Sequence, residues 1–180
     1  MSDAVTLTFT DGLAVIALNR PENHNAFSGE LIETLGEAVR QLAAHVADVR
    51  VAILWAEGDD FSVGGDLNEM RSGDLRLSLA DMRRIHRWVN QLATLDIPLI
   101  TAVAGRVAGA GMSVALAGDI IVAADDVRFN TAFIRINLVP DLAGIYFLTR
   151  RVGPNRAKEL VWLSDSVGAQ EALAAGLVQR

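Results

Sequence analysis

Phe61-Ser-Val-Gly-Gly-Asp-Leu67 and Gly105-Arg-Val-Ala-Gly-Ala-Gly111 each place small residues where a backbone can approach a bound group closely. Between them, Asp96-Ile-Pro-Leu-Ile-Thr-Ala-Val-Ala-Gly105 reads as an apolar strand after a proline, feeding the second glycine cluster at the start of a helix. One backbone N–H from each cluster could converge on a single oxyanion. Phosphate-cradling alternatives fail, because no G-x-G-x-x-G follows a strand and no Gly-Lys-Ser/Thr occurs. The absence of cysteine excludes disulfides, thiolate metal ligands and a cysteine nucleophile, and Lys158 is the one position open to lysine chemistry. No cluster of His and carboxylates has metal-ligand spacing, so no metal is expected.

The elements that must carry these loops are legible in the hydrophobic periodicity. Val5–Thr10 and Leu13–Leu18 are β-rich runs joined by Asp11-Gly12, a dipeptide suited to a tight hairpin turn. Ser28 suits an N-cap, and Leu31, Leu35, Val39, Leu42 and Val46 then recur at helical spacing, predicting an amphipathic helix from about 28 to 47. Val51–Trp55 reads as a strand covered on both faces. Met82, Ile85, Val89 and Leu92 mark a second amphipathic helix, and Leu99–Val103 and Ile120–Ala124 supply two more strands. Strands that alternate with helices point to an α/β fold with parallel crossovers. Pro154 sits where the first turn of a helix tolerates it, ahead of the helix-prone Ala157–Leu163.

A chain of 180 residues, 51% hydrophobic and 21% charged, can bury a sizeable core and contains no linker-like segment, which predicts one domain over 1–180. A net charge of −6 argues against a nucleic-acid partner and for a small molecule. No apolar run reaches the roughly 18 residues needed to span a bilayer, and the Met1-Ser-Asp-Ala start has neither basic nor apolar leader region, so a cytoplasmic protein without a membrane partner is expected.

Together with Leu18-Asn-Arg-Pro-Glu-Asn-His-Asn-Ala-Phe27, the two glycine-bearing stretches resemble, in order and spacing, the signature segments of the crotonase (enoyl-CoA hydratase/isomerase) superfamily. The similarity continues through Asp119–Asp126, Val139-Pro-Asp-Leu-Ala-Gly144 and Ala169–Val178. The resemblance implies a ββα superhelix, an acyl-CoA thioester as substrate and no cofactor beyond the coenzyme A that the substrate carries. Crotonases continue past the Ala-Ala-Gly-Leu-Val stretch into helices that build a trimer interface and cover the acyl-CoA. Here the sequence stops at Arg180, so a homo-trimer or hexamer built on the core, with a more open cleft, is the expectation.

The resemblance assigns the oxyanion donors to the N–H groups of Gly65 and Ala110. It places Ala26, Val63, Gly64, Asp66, Leu67, Gly109 and Gly111 around substrate or CoA, and puts Arg20 and His24 on a loop where either could meet a CoA phosphate. Asn68 stands where many relatives carry a lysine. Hydratases of the family use two glutamates, and the matching positions hold Ser113 and Phe133, neither able to act as a carboxylate base; both are carried as substrate-lining residues. Asp141 matches the slot where isomerases of the phenylacetate-degradation type carry an aspartate that moves a proton between C2 and C4 of an enoyl-CoA. Pro-Asp before an apolar run equally suits an N-cap for a helix starting near Leu142.

The leading expectation is an isomerase-type proton shift with Asp141 as the single base, and not two-glutamate hydration. One rival is a non-catalytic module that binds acyl-CoA or other subunits. Another is a thioester hydrolase or dehalogenase-like activity using Asp141, against which stands Asn90, at the position matched to the histidine of dehalogenases. His45 and His86 are expected at the surface. Arg83, Arg84 and Arg87 form a basic, solvated helix face.

Overall fold

Asp11 and Gly12 adopt left-handed backbone conformations, with φ of 50° and 81°, and so close a tight turn between β1 (Val5–Thr10) and β2 (Leu13–Leu18). The structure, a computed structural model, describes residues 3–74 and 76–180; Met1 and Ser2, part of the start read above for a leader, lie outside the described residues. From β2 the chain enters α1 (Gly29–Ala44), capped by the Ser28 hydroxyl, which accepts from the Leu31 N–H. The Leu31, Leu35, Val39 and Leu42 stripe buries one face of this helix, as its spacing predicts.

The chain returns through β3 (Val51–Ala56), α2 (Leu67–Ser72), α3 (Leu79–Ala93) and β4 (Leu99–Val103), and reaches β6 (Ile120–Ala123) after β5 (Arg106–Ala108) and α4 (Gly109–Ala115). Five strands form one sheet in the order β1-β2-β3-β4-β6; β1 and β2 are antiparallel and every other neighbouring pair is parallel. Helices α1 and α3 pack together where Gly36 makes room for the Trp88 ring, which a Cβ would meet at 2.8 Å. The expectation that β3 is covered on both faces needs correction. Ala52 and Leu54 are sealed, but Val51 and Ile53 are half-buried and Trp55 is exposed, on the face where the row Val15–Ile53–Ile100–Ile120 crosses the sheet.

A second, small sheet sets β5 parallel to β7 (Arg128–Asn130), and β7 antiparallel to β8 (Val167–Gly168), which leads into α6 (Ala169–Ala174). Between β7 and β8 lie a 3-10 turn, Phe133–Ile136, and α5 (Gly144–Leu163). Gly153, at φ 76°, interrupts α5, so Pro154 opens its second segment where no internal N–H is needed. No helix among the described residues is long and apolar enough to cross a membrane.

Candidate active site

Phe27 fixes the first glycine loop. Its N–H donates to the Gly64 carbonyl at 2.7 Å, and its own carbonyl accepts the Asp66 N–H at 3.1 Å. This parallel bridge uses the groups on either side of Gly65 and turns the Gly65 N–H the other way. Gly64, at φ 92°, lies so close to the second loop that a Cβ would meet the Ala108 carbonyl at 3.0 Å. Ala110 follows in the first turn of α4, where an N–H has no partner within the helix. Among the described residues, neither the Gly65 nor the Ala110 N–H donates to another protein group. Both residues line one cavity.

That cavity has a volume of about 460 Å³ and is walled mainly by apolar side chains: Phe27 and Ile32 from the start of α1, Leu67 and Met70 from α2, Ile85 from α3, and Phe133, Ile136 and Leu138 opposite. Arg135, whose guanidinium donates to the Ser164 carbonyl at 2.7 Å, and Asp141 are its charged residues. Burial pushes the Asp141 carboxyl above the ordinary carboxylate range; a hydrogen bond from its own backbone and the charge of His86 act the other way without cancelling this. Its Oδ1 is buried without a hydrogen-bond partner among the described residues. A carboxyl in such surroundings can take a proton and hold it at neutral pH better than an exposed one.

The N-cap reading of Asp141 is wrong. Leu142 and Ala143 both adopt left-handed conformations, with φ of 50° and 59°, the cap position falls on Ala143, and no side chain caps α5. The Gly144 N–H is satisfied by the main-chain carbonyl of Asp141 at 2.8 Å, which leaves the carboxyl free to face the cavity. Two consecutive non-glycine residues in this region carry strain of the kind found at functional sites.

Of the residues singled out in the sequence, Val63, Gly64, Gly65, Leu67, Gly109, Ala110, Phe133 and Asp141 meet at this cavity, and six do not. Ser113 is buried beneath it, its hydroxyl donating to the Gly109 carbonyl at 3.4 Å and filling the space a Cβ on Gly144 would need. Gly111 packs on Ser62, and Ala26 is enclosed in its loop. Asp66 caps α2 through the N–H groups of Asn68 and Glu69. Arg20 bonds the Ser28 hydroxyl and pairs with Glu22 and Glu30. His24 pairs with Asp60 at 3.0 Å, a carboxylate that Arg106 also holds and keeps well below its ordinary range. Arg20 and His24 are thus engaged within the protein and do not line the cavity.

His45 and His86 are exposed, as expected, and Arg84 of the basic face pairs with Glu33 on α1. His86 lines a separate cleft with Asn90, one turn along α3. The sequence reading missed Met70, Ile136 and Leu138 of the cavity, although Leu67–Met70 and Phe133–Ile136 each follow an i, i+3 spacing from a residue that was named.

Comparison with known proteins fits this geometry. The family described as enoyl-CoA hydratase/isomerase matches residues 8–180. The chain is 34% identical over 174 residues to the trans-2-decenoyl-[acyl-carrier-protein] isomerase of Streptococcus mutans serotype c, covering 94% of this chain and 66% of that protein. It is 35% identical over 173 residues to the 1,2-epoxyphenylacetyl-CoA isomerase of Escherichia coli, covering 93% of this chain and 65% of that protein. The chain thus spans about two thirds of the length of these curated relatives. Among solved structures, an enoyl-CoA hydratase homologue of Thermobifida fusca YX, crystallised with acetoacetyl-CoA, superposes with a TM-score of 0.89 at 30% identity, covering 98% of this chain and 72% of that one. With glycine loops, sheet order and sequence all in agreement, this chain belongs to the enoyl-CoA hydratase/isomerase (crotonase) family.

Proposed function

We propose that this protein moves the double bond of an enoyl-CoA by an isomerase-type proton shift. The observation that carries the reading is the Asp141 carboxyl, buried with an unpaired oxygen in the cavity that Gly65 and Ala110 also line. In this scheme the two N–H groups hold the thioester carbonyl oxygen and stabilise the dienolate as charge develops on it. The ionised Asp141 takes a proton from one carbon of the acyl chain and returns it to the other end of the conjugated system. Burial raises its basicity above that of an exposed carboxylate, which favours taking the proton.

Hydration is disfavoured by the same cavity. Phe133, which the resemblance matches to one hydratase glutamate, lines it, and Ser113, matched to the other, is buried with its hydroxyl on the Gly109 carbonyl. Two similar proteins carry names of isomerases, one acting on an acyl-carrier-protein thioester and one on a CoA thioester. The acyl-CoA is the partner proposed for this chain, and a homo-trimer or hexamer is the assembly proposed for it.

The rival readings are thioester hydrolysis, with Asp141 as nucleophile or water activator, and a non-catalytic module. Incubating the purified protein with 2-enoyl-, 3-enoyl- and aryl-CoA thioesters, and following mass and ultraviolet absorbance, separates the readings. Isomerisation conserves mass and changes absorbance, thioester hydrolysis releases CoA, and a non-catalytic module changes neither.

A further inference from the structure

Ser62 lies at the junction of the two glycine loops, fully buried and outside the cavity lining. Its backbone ties its own loop to the second. The Ser62 N–H donates to the Arg106 carbonyl at 3.0 Å, and its carbonyl accepts the Ala108 N–H at 2.9 Å, a parallel bridge to β5 centred on Val107. Because β5 runs directly into α4, this bridge fixes where Ala110 begins. Its side chain braces its own loop. The hydroxyl donates to the Asn25 carbonyl at 2.7 Å and accepts the Gly64 N–H at 3.2 Å, one residue before Gly65.

The anchor on the far side is itself rigid. Asn25 is fully buried and donates from its side chain to the carbonyls of Glu57 and Asp60 at 2.9 and 2.8 Å. Helix α4 sits on Ser62 as well, since a Cβ on Gly111 would lie 2.5 Å from the Ser62 Cβ. Two N–H donors on separate loops can share one oxygen only if their separation is fixed before the substrate arrives.

We propose that Ser62 is the positioning residue that holds the Gly65 and Ala110 N–H groups in one frame, its main chain setting one and its hydroxyl the other. The proposal rests on the reading that these two groups receive the thioester carbonyl. Removing the hydroxyl leaves the buried Gly64 N–H and Asn25 carbonyl without their partner. The turn then relaxes to find other partners, which moves the Gly65 donor while leaving the apolar walls in place.

The test uses Ser62→Ala and the more conservative Ser62→Cys, with 2,4-hexadienoyl-CoA as a probe whose ultraviolet band moves to longer wavelength when its carbonyl is polarised. For Ser62→Ala we expect a reduced red shift in the bound probe, kcat lowered roughly ten- to a hundred-fold, and KM and probe affinity within a few-fold of the parent. Ser62→Cys should fall between. A folded variant of either kind with the full red shift and the parent rate overturns the proposal, as does a loss confined to thermal stability.

Amide exchange in the unaltered protein supplies a test that needs no variant. The Gly64 amide should be protected, and the Gly65 amide should exchange rapidly until an acyl-CoA binds; rapid exchange at Gly64 overturns the proposal. If the unaltered protein polarises the probe but isomerises nothing, the proton-shift reading fails and Ser62 is still judged by the red shift. If it binds no thioester at all, Gly64 exchange still decides.

Discussion

Gly64 faces Gly109 across the two loops so closely that a Cβ on Gly64 would lie 3.3 Å from the Gly109 Cα, and the two backbones meet directly. Both residues have positive φ, 92° and 50°. Each directly precedes a proposed oxyanion donor. The contact sets the spacing of the Gly65 and Ala110 N–H groups; Gly64 is required by that approach as well as by its turn, and Gly109 by its positive φ.

Gly64→Ala should therefore impair catalysis more than its stability cost suggests. The added methyl would meet the Ala108 carbonyl at 3.0 Å in a left-handed residue, which costs about 1–3 kcal/mol in strain and forces the loops apart. A rate loss of about 10²-fold or more is expected in a protein that still folds. Thermal unfolding measured beside kcat checks this, and an unchanged rate would remove the glycine contact from the mechanism.

Ala110→Pro removes one donor outright. Proline is tolerated in the first turn of a helix, so α4 should persist while the rate falls by roughly 10²- to 10³-fold. Circular dichroism and steady-state rates on the same preparation decide the matter. Full activity in the folded variant would place the oxyanion contacts elsewhere.

Asp141→Asn should stabilise the protein at neutral pH. The folded state holds the Asp141 proton more tightly than the unfolded chain does, where the ordinary value is 3.8. Relative stability from this group is complete below that value and is lost as pH rises through the raised folded value, because ionising the buried carboxyl is then penalised. The variant should melt higher than the parent at pH 7, with the gap closing near pH 4. A variant that melts lower at pH 7 would mean the carboxylate is stabilised by contacts absent from this account.

Placing a glutamate in the first hydratase slot should not create a hydratase. Ser113 is buried against Gly144, so Ser113→Glu introduces an unpaired charge and excess volume under the cavity floor. A destabilisation of roughly 3 kcal/mol or more is expected. Denaturant titration and a water-addition assay test it. A stable variant that hydrates crotonyl-CoA would show that the slot opens into the cavity after all.

Local chemistry made much of this legible in the sequence. The Asp11-Gly12 turn, the Ser28 cap and the stripe from Leu31 to Leu42 depend on neighbouring residues alone, and the structure forms them as read. The glycine clusters likewise marked both loops, because a close backbone approach admits few residue types. Asp141 was found through its motif, but its freedom from capping depends on two left-handed residues, Leu142 and Ala143, that no propensity would have suggested. The partners of Arg20 and His24 were not legible for a different reason: Glu30 and Asp60 are distant enough in the chain that only the folded loop brings them together.

The central claim is that Asp141 carries a proton between two carbons of one substrate. Its most direct test is to incubate the protein with a 3-enoyl-CoA and its 2-enoyl isomer in deuterated water, and to follow the acyl-CoA by mass and absorbance for the parent and for Asp141→Asn. The account predicts migration of the double bond with no added water and no released CoA, at most exchange of hydrogen for deuterium, and a loss of roughly 10²- to 10⁴-fold in the variant with acyl-CoA binding kept within a few-fold. A product heavier by one water, free CoA, or migration at the parent rate in Asp141→Asn would contradict it.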